Sequence, residues 1–339
     1  MKILVTGSAG FIGGYLVEDL LAAGHEVYGV DNYSKYGKVQ KSYDKHPRYH
    51  FVEGDAKNVA LMKELASGVD QVIAGAAMIG GISYFHEMAY DLLAENERIC
   101  ASTFDAAIWA HANRSLKRIV VISSSMVFES AVTYPTPEGE QLRSPPPLST
   151  YGFQKLATEY YCKGAHEQYG LPYTIVRPFN CVGVGEGRAL VDKEVLSGNV
   201  KLAMSHVVPD LVQKVLKGQS PLHILGAGSQ VRHYTYGGDL ARGIRMAAES
   251  PKAENNDFNL STDRSTTVLE LAELIWNKLK PGTSFRYTSD KPFQYDVQKR
   301  VPDVRKAKEV LGYEATTPLE TVLDEVIPWI EEQVRLGRL

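Results

Sequence analysis

The 339-residue sequence is poor in the features that mark several large functional classes. Its three cysteines, Cys100, Cys162 and Cys181, are scattered and form no CxxC pair. Neither a disulfide framework nor a zinc ribbon is therefore encoded, and they read as buried thiols in a reducing, cytoplasmic compartment. Nine histidines include no HExxH, so no metal site is expected. Lysine and arginine number 37 against 40 acidic residues, a net charge of −3. The broad basic surface that grips nucleic acid or an anionic membrane is missing. No apolar run is long enough to span a bilayer, and Met1–Gly7 reaches its first glycine too soon for a signal peptide. No internal repeat or low-complexity tract is visible either.

What is present is a pattern of alternation. Ile3–Val5, Glu26–Val30, Tyr49–Val52, Gln71–Ala74, Arg118–Ser123 and Tyr173–Arg177 are short, β-branched apolar runs that read as strands. Between them, Phe11–Ala23, Ala60–Ala66, Asp91–Ala112 and Tyr151–Tyr169 carry helical spacing. Strands joined through helices imply right-handed βαβ units in a parallel, doubly wound sheet covered on both faces. A proline-rich loop, Thr133–Ser149, interrupts the alternation just before Tyr151; it reads as a rigid connector or as part of a site wall. Beyond Gly183 the chain becomes loop-rich, with helices expected near Pro209–Lys217, Val268–Lys280, Val304–Leu311 and Leu319–Arg335, and a turn at Gly226–Gly228. The expected fold is α/β, a Rossmann-type doubly wound parallel sheet with a smaller mixed α/β C-terminal lobe.

Directly after the first strand stand Gly7, Gly10 and Gly13, with Phe11 and Ile12 opening the helix. Glycines allow a tight turn and close approach to a pyrophosphate, and a helix N-terminus offers free N–H groups and a positive dipole end. The spacing is GxxGxxG, which follows the logic of the dinucleotide fingerprint without its letter. The second strand ends at Asp31, 24 residues after Gly7, placed to accept hydrogen bonds from both ribose hydroxyls. Asn32 and Tyr33 follow it rather than an arginine, so the expected cofactor is NAD rather than NADP.

The sharpest chemical feature is Tyr151 with Lys155 one helical turn later, on the same face. A nearby ammonium lowers a phenol pKa, as a general base needs. Ser123, Ser124 and Ser125 follow a strand upstream and are able to meet that phenol over the cofactor.

These segments, together with Gly54-Asp55, Ala76-Ala77, Asn96, Arg177-Pro178-Phe179-Asn180, the stretch from Gly228 to Gly243, Arg300-Val301-Pro302-Asp303 and Leu311-Gly312-Tyr313, resemble the extended short-chain dehydrogenase/reductase superfamily. Within it, they resemble the NAD-dependent nucleotide-sugar epimerases and dehydratases. The resemblance covers nearly the whole chain and implies roles. Ser124 would hydrogen-bond the sugar hydroxyl being oxidised, Tyr151 would take its proton, and Lys155 would hold the nicotinamide ribose. Asp55 and Ala56 would lie beside adenine, Pro178 near nicotinamide, and Ala76, Asn96 and Ser123 along the cofactor. Asn180, Arg232 and Arg300 would grip the substrate diphosphate, for which guanidinium forks are suited. Gly80, Ser125 and Met126 would line the sugar.

The resemblance also narrows the reaction. Dehydratases of the family place Asp-Glu after the catalytic hydroxyl, and UDP-glucuronate decarboxylases place Glu two positions after it. Here those positions are Ser125 and Met126, neither an acid nor a base. The loop from Ala76 to Gly81 resembles that of GDP-mannose 3,5-epimerases, which use a cysteine where Met126 stands. A 4-epimerase of a nucleotide hexose or hexuronate, UDP favoured, is expected; a GDP-sugar epimerase or a net 4-dehydrogenase is the alternative. Residues 1–178 are expected to form the NAD-binding domain and 179–339 the nucleotide-sugar lobe, with about 231–262 returning to the core. The resemblance further implies a homodimer built through Asp91–Ala112 and Tyr151–Tyr169. No nucleic-acid or membrane partner is expected.

Overall fold

The structure, a computed structural model, describes residues 1–80, 87–190, 193–203, 206–292 and 297–339. The expected strands appear as β1 (Lys2–Thr6), β2 (Glu26–Asp31), β3 (Tyr49–Glu53), β4 (Gln71–Ala74), β5 (Arg118–Ile122) and β6 (Tyr173–Pro178). A further strand, β7 (Asn256–Leu260), completes a seven-stranded sheet in the order β7-β6-β5-β4-β1-β2-β3. Every neighbouring pair is parallel. The helices are α1 (Phe11–Ala22), α2 (Val59–Ala66), α3 (Ala89–Asn113), α4 (Thr150–Tyr169), α5 (Val207–Leu216), α6 (Gly237–Glu249), α7 (Val268–Leu279) and α8 (Leu319–Arg335).

Both faces of the sheet are covered, which is why most of its strands are apolar. On one face Leu16, Val17 and Leu20 of α1 pack with Leu240, Ala241 and Ile244 of α6 over Ile3, Val5 and Val27. On the other, Met62 of α2, Phe104 and Ala107 of α3 and Cys162 of α4 pack over Leu4, Val72 and Ile119. A third apolar cluster joins Leu211 and Val212 of α5, Ile275 and Trp276 of α7 and Leu323 and Val326 of α8. Beside it, Leu222–Leu225 pairs in parallel with Tyr287–Asp290. The three cysteines are unpaired, Cys181 being half-buried.

Two sequence expectations change in detail. Val304–Leu311 is not a full helix but one wide π turn, Ala307–Leu311, closed by Gly312 with φ 70°. β7 was hidden because Asn256-Asp257-Phe258-Asn259 breaks the apolar run. Its polar side chains are used: Asp257 pairs with Arg177 at 2.7 Å, and Asn259 Nδ2 donates to the carbonyls of Thr136 and Asp303.

Strand order reverses between β1 and β4, and there the two following loops diverge to leave a crevice at the carboxyl ends of the strands. Thr6 Oγ1 ties the two sides together by accepting from the backbone N–H of Gly75 and of Ala76, at 3.1 and 3.0 Å.

Candidate functional site

A single cavity of about 700 Å3 runs from this crevice to the α5 end of the molecule. Its cofactor end begins with the glycine loop. Gly7 holds φ 74°, and a Cβ on Gly13 would stand 2.1 Å from the Gly7 carbonyl oxygen. Only glycine fits at Gly13, and the turn brings the start of α1 against β1. Gly10 caps α1 without a side chain, and the first turn contains no acidic residue. The N–H groups of Phe11 and Ile12 therefore face the cavity with an uncompensated positive helix end.

Asp31 closes the far side. Its carboxylate accepts from Tyr33 N at 2.7 Å and Ala9 N at 3.1 Å, so it fixes the glycine loop while lining the cavity. Burial raises its pKa against those two hydrogen bonds. Asn32, Asp55, Ala56 and Ala76 line the same end, and Pro178 lies further along. Asn96 does not reach the cavity wall. It is buried behind it, where its side chain accepts from Met78 N at 2.6 Å and donates to Met78 O at 2.9 Å. It holds the loop after β4 and lines a small adjoining pocket with Ala76, Ala77 and Lys155.

The reacting end is assembled from two local structures. After β5, Ser124 caps a short 3-10 turn, Ser125–Phe128, accepting from Met126 N at 3.2 Å. Ser149 caps α4 by accepting from Gly152 N at 3.0 Å, which sets Tyr151 in the first turn. Ser124 and Tyr151 hydrogen-bond each other. Lys155, buried beneath them, donates to the Ile122 carbonyl at 3.0 Å. Ser123 lines the cavity, but its hydroxyl is already engaged with Glu159 at 2.7 Å, inside a buried network with Arg177.

The expected electrostatics of this pair need correction. Burial raises the Tyr151 pKa; the Ser124 hydrogen bond and the positive charge of Arg300 work against it. Burial also acts on Lys155, lowering its pKa to about 8. Spacing placed both groups on one face, yet the ammonium is turned to the β5 carbonyl.

Gly80, Ser125 and Met126 line the reacting end with Met78 and Ile79, while Gly81 lies outside the described residues. Arg232 and Arg300 come together there: the Arg300 N–H donates to Val231 O at 3.2 Å, and both guanidinium charges act on the buried Tyr234 phenol. Asn180, at φ 37°, turns toward them with a buried Nδ2 that has no hydrogen-bond partner among the described residues. The Tyr234 hydroxyl is in the same condition. Two buried polar groups beside two guanidinium charges in one cavity suit an anionic, oxygen-rich ligand.

The proline-rich loop is a bracket for this end. Thr136 N donates to Val301 O at 2.7 Å and Asp303 N donates to Thr136 O at 2.9 Å, which holds the segment carrying Arg300. Phe128 packs against Phe179 and under the Arg177 guanidinium. Sequence reasoning missed Glu129, which also lines the cavity; its signal was only that it follows the SSSMVF segment.

Comparison with known proteins accords with this geometry. The model of the NAD dependent epimerase/dehydratase family matches residues 3–261. The chain belongs to this family. NAD is its cofactor, and the glycine loop, the α1 N-terminus and Asp31 are the residues that fit it. The family member UDP-glucuronic acid decarboxylase 6 of Arabidopsis thaliana is 28% identical, the match covering 99% of this chain and 89% of that protein. A dTDP-4-dehydro-6-deoxy-D-allose reductase from Streptomyces is 25% identical over 96% of this chain and 95% of that one. Among solved structures, UDP-glucose 4-epimerase of Thermotoga maritima, determined with UDP-glucose, is 30% identical with a TM-score of 0.80, covering 98% of this chain and 100% of that one. These relatives catalyse different reactions on nucleotide sugars, so membership alone defines an enzyme of the family and leaves its reaction to the site. No helix among the described residues is long and apolar enough to cross a membrane.

Proposed function

We propose that the protein is an NAD-dependent 4-epimerase of a nucleotide sugar, with UDP as the favoured nucleotide. The observation that carries this reading is the hydrogen-bonded Ser124–Tyr151 pair above Lys155 in a cavity where the two positions after Ser124 are Ser125 and Met126. Ser124 orients the C4 hydroxyl, and Tyr151 takes its proton and later returns it. NAD, held by the glycine loop, the α1 N-terminus and Asp31, would supply a reversible hydride acceptor for C4, so that no net oxidation would result. Lys155 holds the ribose beside nicotinamide. Arg232, Arg300 and Asn180 hold the diphosphate, which leaves the sugar free to turn between Met78, Met126 and Tyr151. A carboxyl group at position 125 or 126, as dehydration or decarboxylation would use, is lacking.

A GDP sugar is the second reading of the nucleotide, supported by the loop from Ala76 to Gly80. We place the working division of the chain near residue 178, with about 231–262 returning to the NAD-binding part, and we propose a homodimer through α3 and α4. The test is proton NMR of the anomeric region with pure protein and no added NAD, on UDP-glucose, UDP-N-acetylglucosamine, UDP-glucuronate and GDP-mannose separately. A new anomeric signal that grows to a plateau, with coupling changed at H4, is expected for one of them. Silence until NAD is added, followed by rising absorbance at 340 nm, would make the enzyme a net dehydrogenase instead.

A further inference from the structure

Glu129 is the carboxylate of the reacting end. It lines the cavity with Ser124, Ser125, Met126 and Tyr151, immediately after the turn that carries them. One oxygen, Oε2, accepts from Ser149 N at 2.9 Å and Ser149 Oγ at 2.8 Å. Ser149 in turn caps α4, so the carboxylate is anchored to the N-terminus of the helix that bears Tyr151, where negative charge is favoured. The packing is close: a Cβ on Gly152 would stand 3.1 Å from that oxygen and 2.8 Å from the Met126 carbonyl. The anchor leaves Oε1 without a hydrogen bond from any described residue. The nearby cations have other work. Lys155 donates to Ile122 O, and Arg300 faces Tyr151 and Tyr234 at the diphosphate end.

We infer that Glu129 makes the sugar subsite select against a carboxylate at C6, so that the substrate is an uncharged nucleotide hexose and not a hexuronate. This rests on the nucleotide-sugar reading above. A fixed anion beside a second anion repels it, whereas a neutral hydroxymethyl group donates a hydrogen bond to Oε1.

The experiment is calorimetric titration of the NAD-loaded protein with UDP, UDP-glucose and UDP-glucuronate, repeated with Glu129→Gln and Glu129→Asp. GDP, GDP-mannose and GDP-mannuronate replace them if UDP does not bind. The native protein should bind the uronate at least about tenfold more weakly than the neutral sugar. Glu129→Gln keeps a carbonyl to accept from Ser149 and should shrink that gap to within about threefold, while Glu129→Asp, which keeps the charge, should preserve it. Equal binding of the two sugars by the native protein, or a gap that Glu129→Gln leaves intact, overturns the inference while leaving the epimerase reading standing. If the nucleotides bind and neither sugar nucleotide does, the nucleotide-sugar reading itself fails, and this inference falls with it.

Discussion

Replacing Lys155 by methionine should make the protein more stable at neutral pH while abolishing its activity. Burial lowers the Lys155 pKa from 10.5 to about 8, a difference of about 2.5 units. At roughly 1.4 kcal/mol for each tenfold change in proton affinity, carrying this charge in the fold costs about 3–4 kcal/mol near pH 7. Methionine has similar reach and no charge, so it removes that cost. It also loses the hydrogen bond to the Ile122 carbonyl, worth about 1–2 kcal/mol, so the net gain is about 1–3 kcal/mol. The pH dependence follows from proton uptake. Between about pH 8 and 10.5 the unfolded chain holds a proton on Lys155 that the folded chain has released, so native stability rises with pH across that window. The advantage of Lys155→Met is therefore largest below pH 8 and vanishes, or reverses, approaching pH 10. The assay is thermal melting of both nucleotide-free proteins at pH 7 and pH 9.5. A variant that melts lower than the native protein at both values would refute the argument and show that the ammonium is stabilised by its surroundings.

Gly13→Ala should abolish NAD retention and lower stability, because its Cβ has only 2.1 Å to the Gly7 carbonyl; absorbance of nucleotide released from the purified variant and its melting temperature report both. Glu159→Gln breaks the buried bidentate pair with Arg177, at 2.7 and 2.8 Å, and should cost roughly 3–5 kcal/mol in chemical denaturation. Tyr151→Phe should reduce turnover by at least about a hundredfold while nucleotide-sugar binding, followed by titration, stays within a few-fold. Light scattering at micromolar concentration should give twice the chain mass; α4 exposes Phe153, Tyr160 and Tyr169, and a monomeric mass would overturn the dimer.

The parts of this molecule legible in the sequence are those dictated by local rules. The parallel sheet was readable because both of its faces are buried, which makes β1, β4 and β5 nearly continuous apolar runs. The glycine loop was readable because only glycine fits where backbone meets backbone. Strand β7 was not, because its buried polar residues satisfy Arg177 and the Thr136 loop, partners more than 70 residues away in sequence. The same holds for the proline-rich loop, whose role as a bracket for Arg300 is a pairing across the fold with Val301 and Asp303. The Asn96 amide holds the loop after β4 through two hydrogen bonds with Met78, a pairing that its place in a recognised order of motifs does not reveal.

The Tyr151–Lys155 pair carries the sharper lesson about what spacing encodes. An i, i+4 relation on a helix puts two Cβ atoms on one face, but the polar end of a lysine lies several bonds further on and goes to the strongest acceptor within reach. Here that acceptor is the Ile122 carbonyl at 3.0 Å. The positive charge that bears on the phenol comes instead from Arg300, some 150 residues later in sequence, held by Thr136 and Val231. Ionisation of Tyr151 is thereby coupled to the group that faces the diphosphate. A ligand phosphate that neutralises Arg300 weakens its pull on the phenol and favours the protonated form. Arg300→Ala should then raise the apparent pKa of the phenol, read by ultraviolet difference titration of the protein without nucleotide sugar. It should also weaken nucleotide-sugar binding. If the titration of Tyr151 is unmoved while binding falls, the coupling is absent and Arg300 acts on substrate alone.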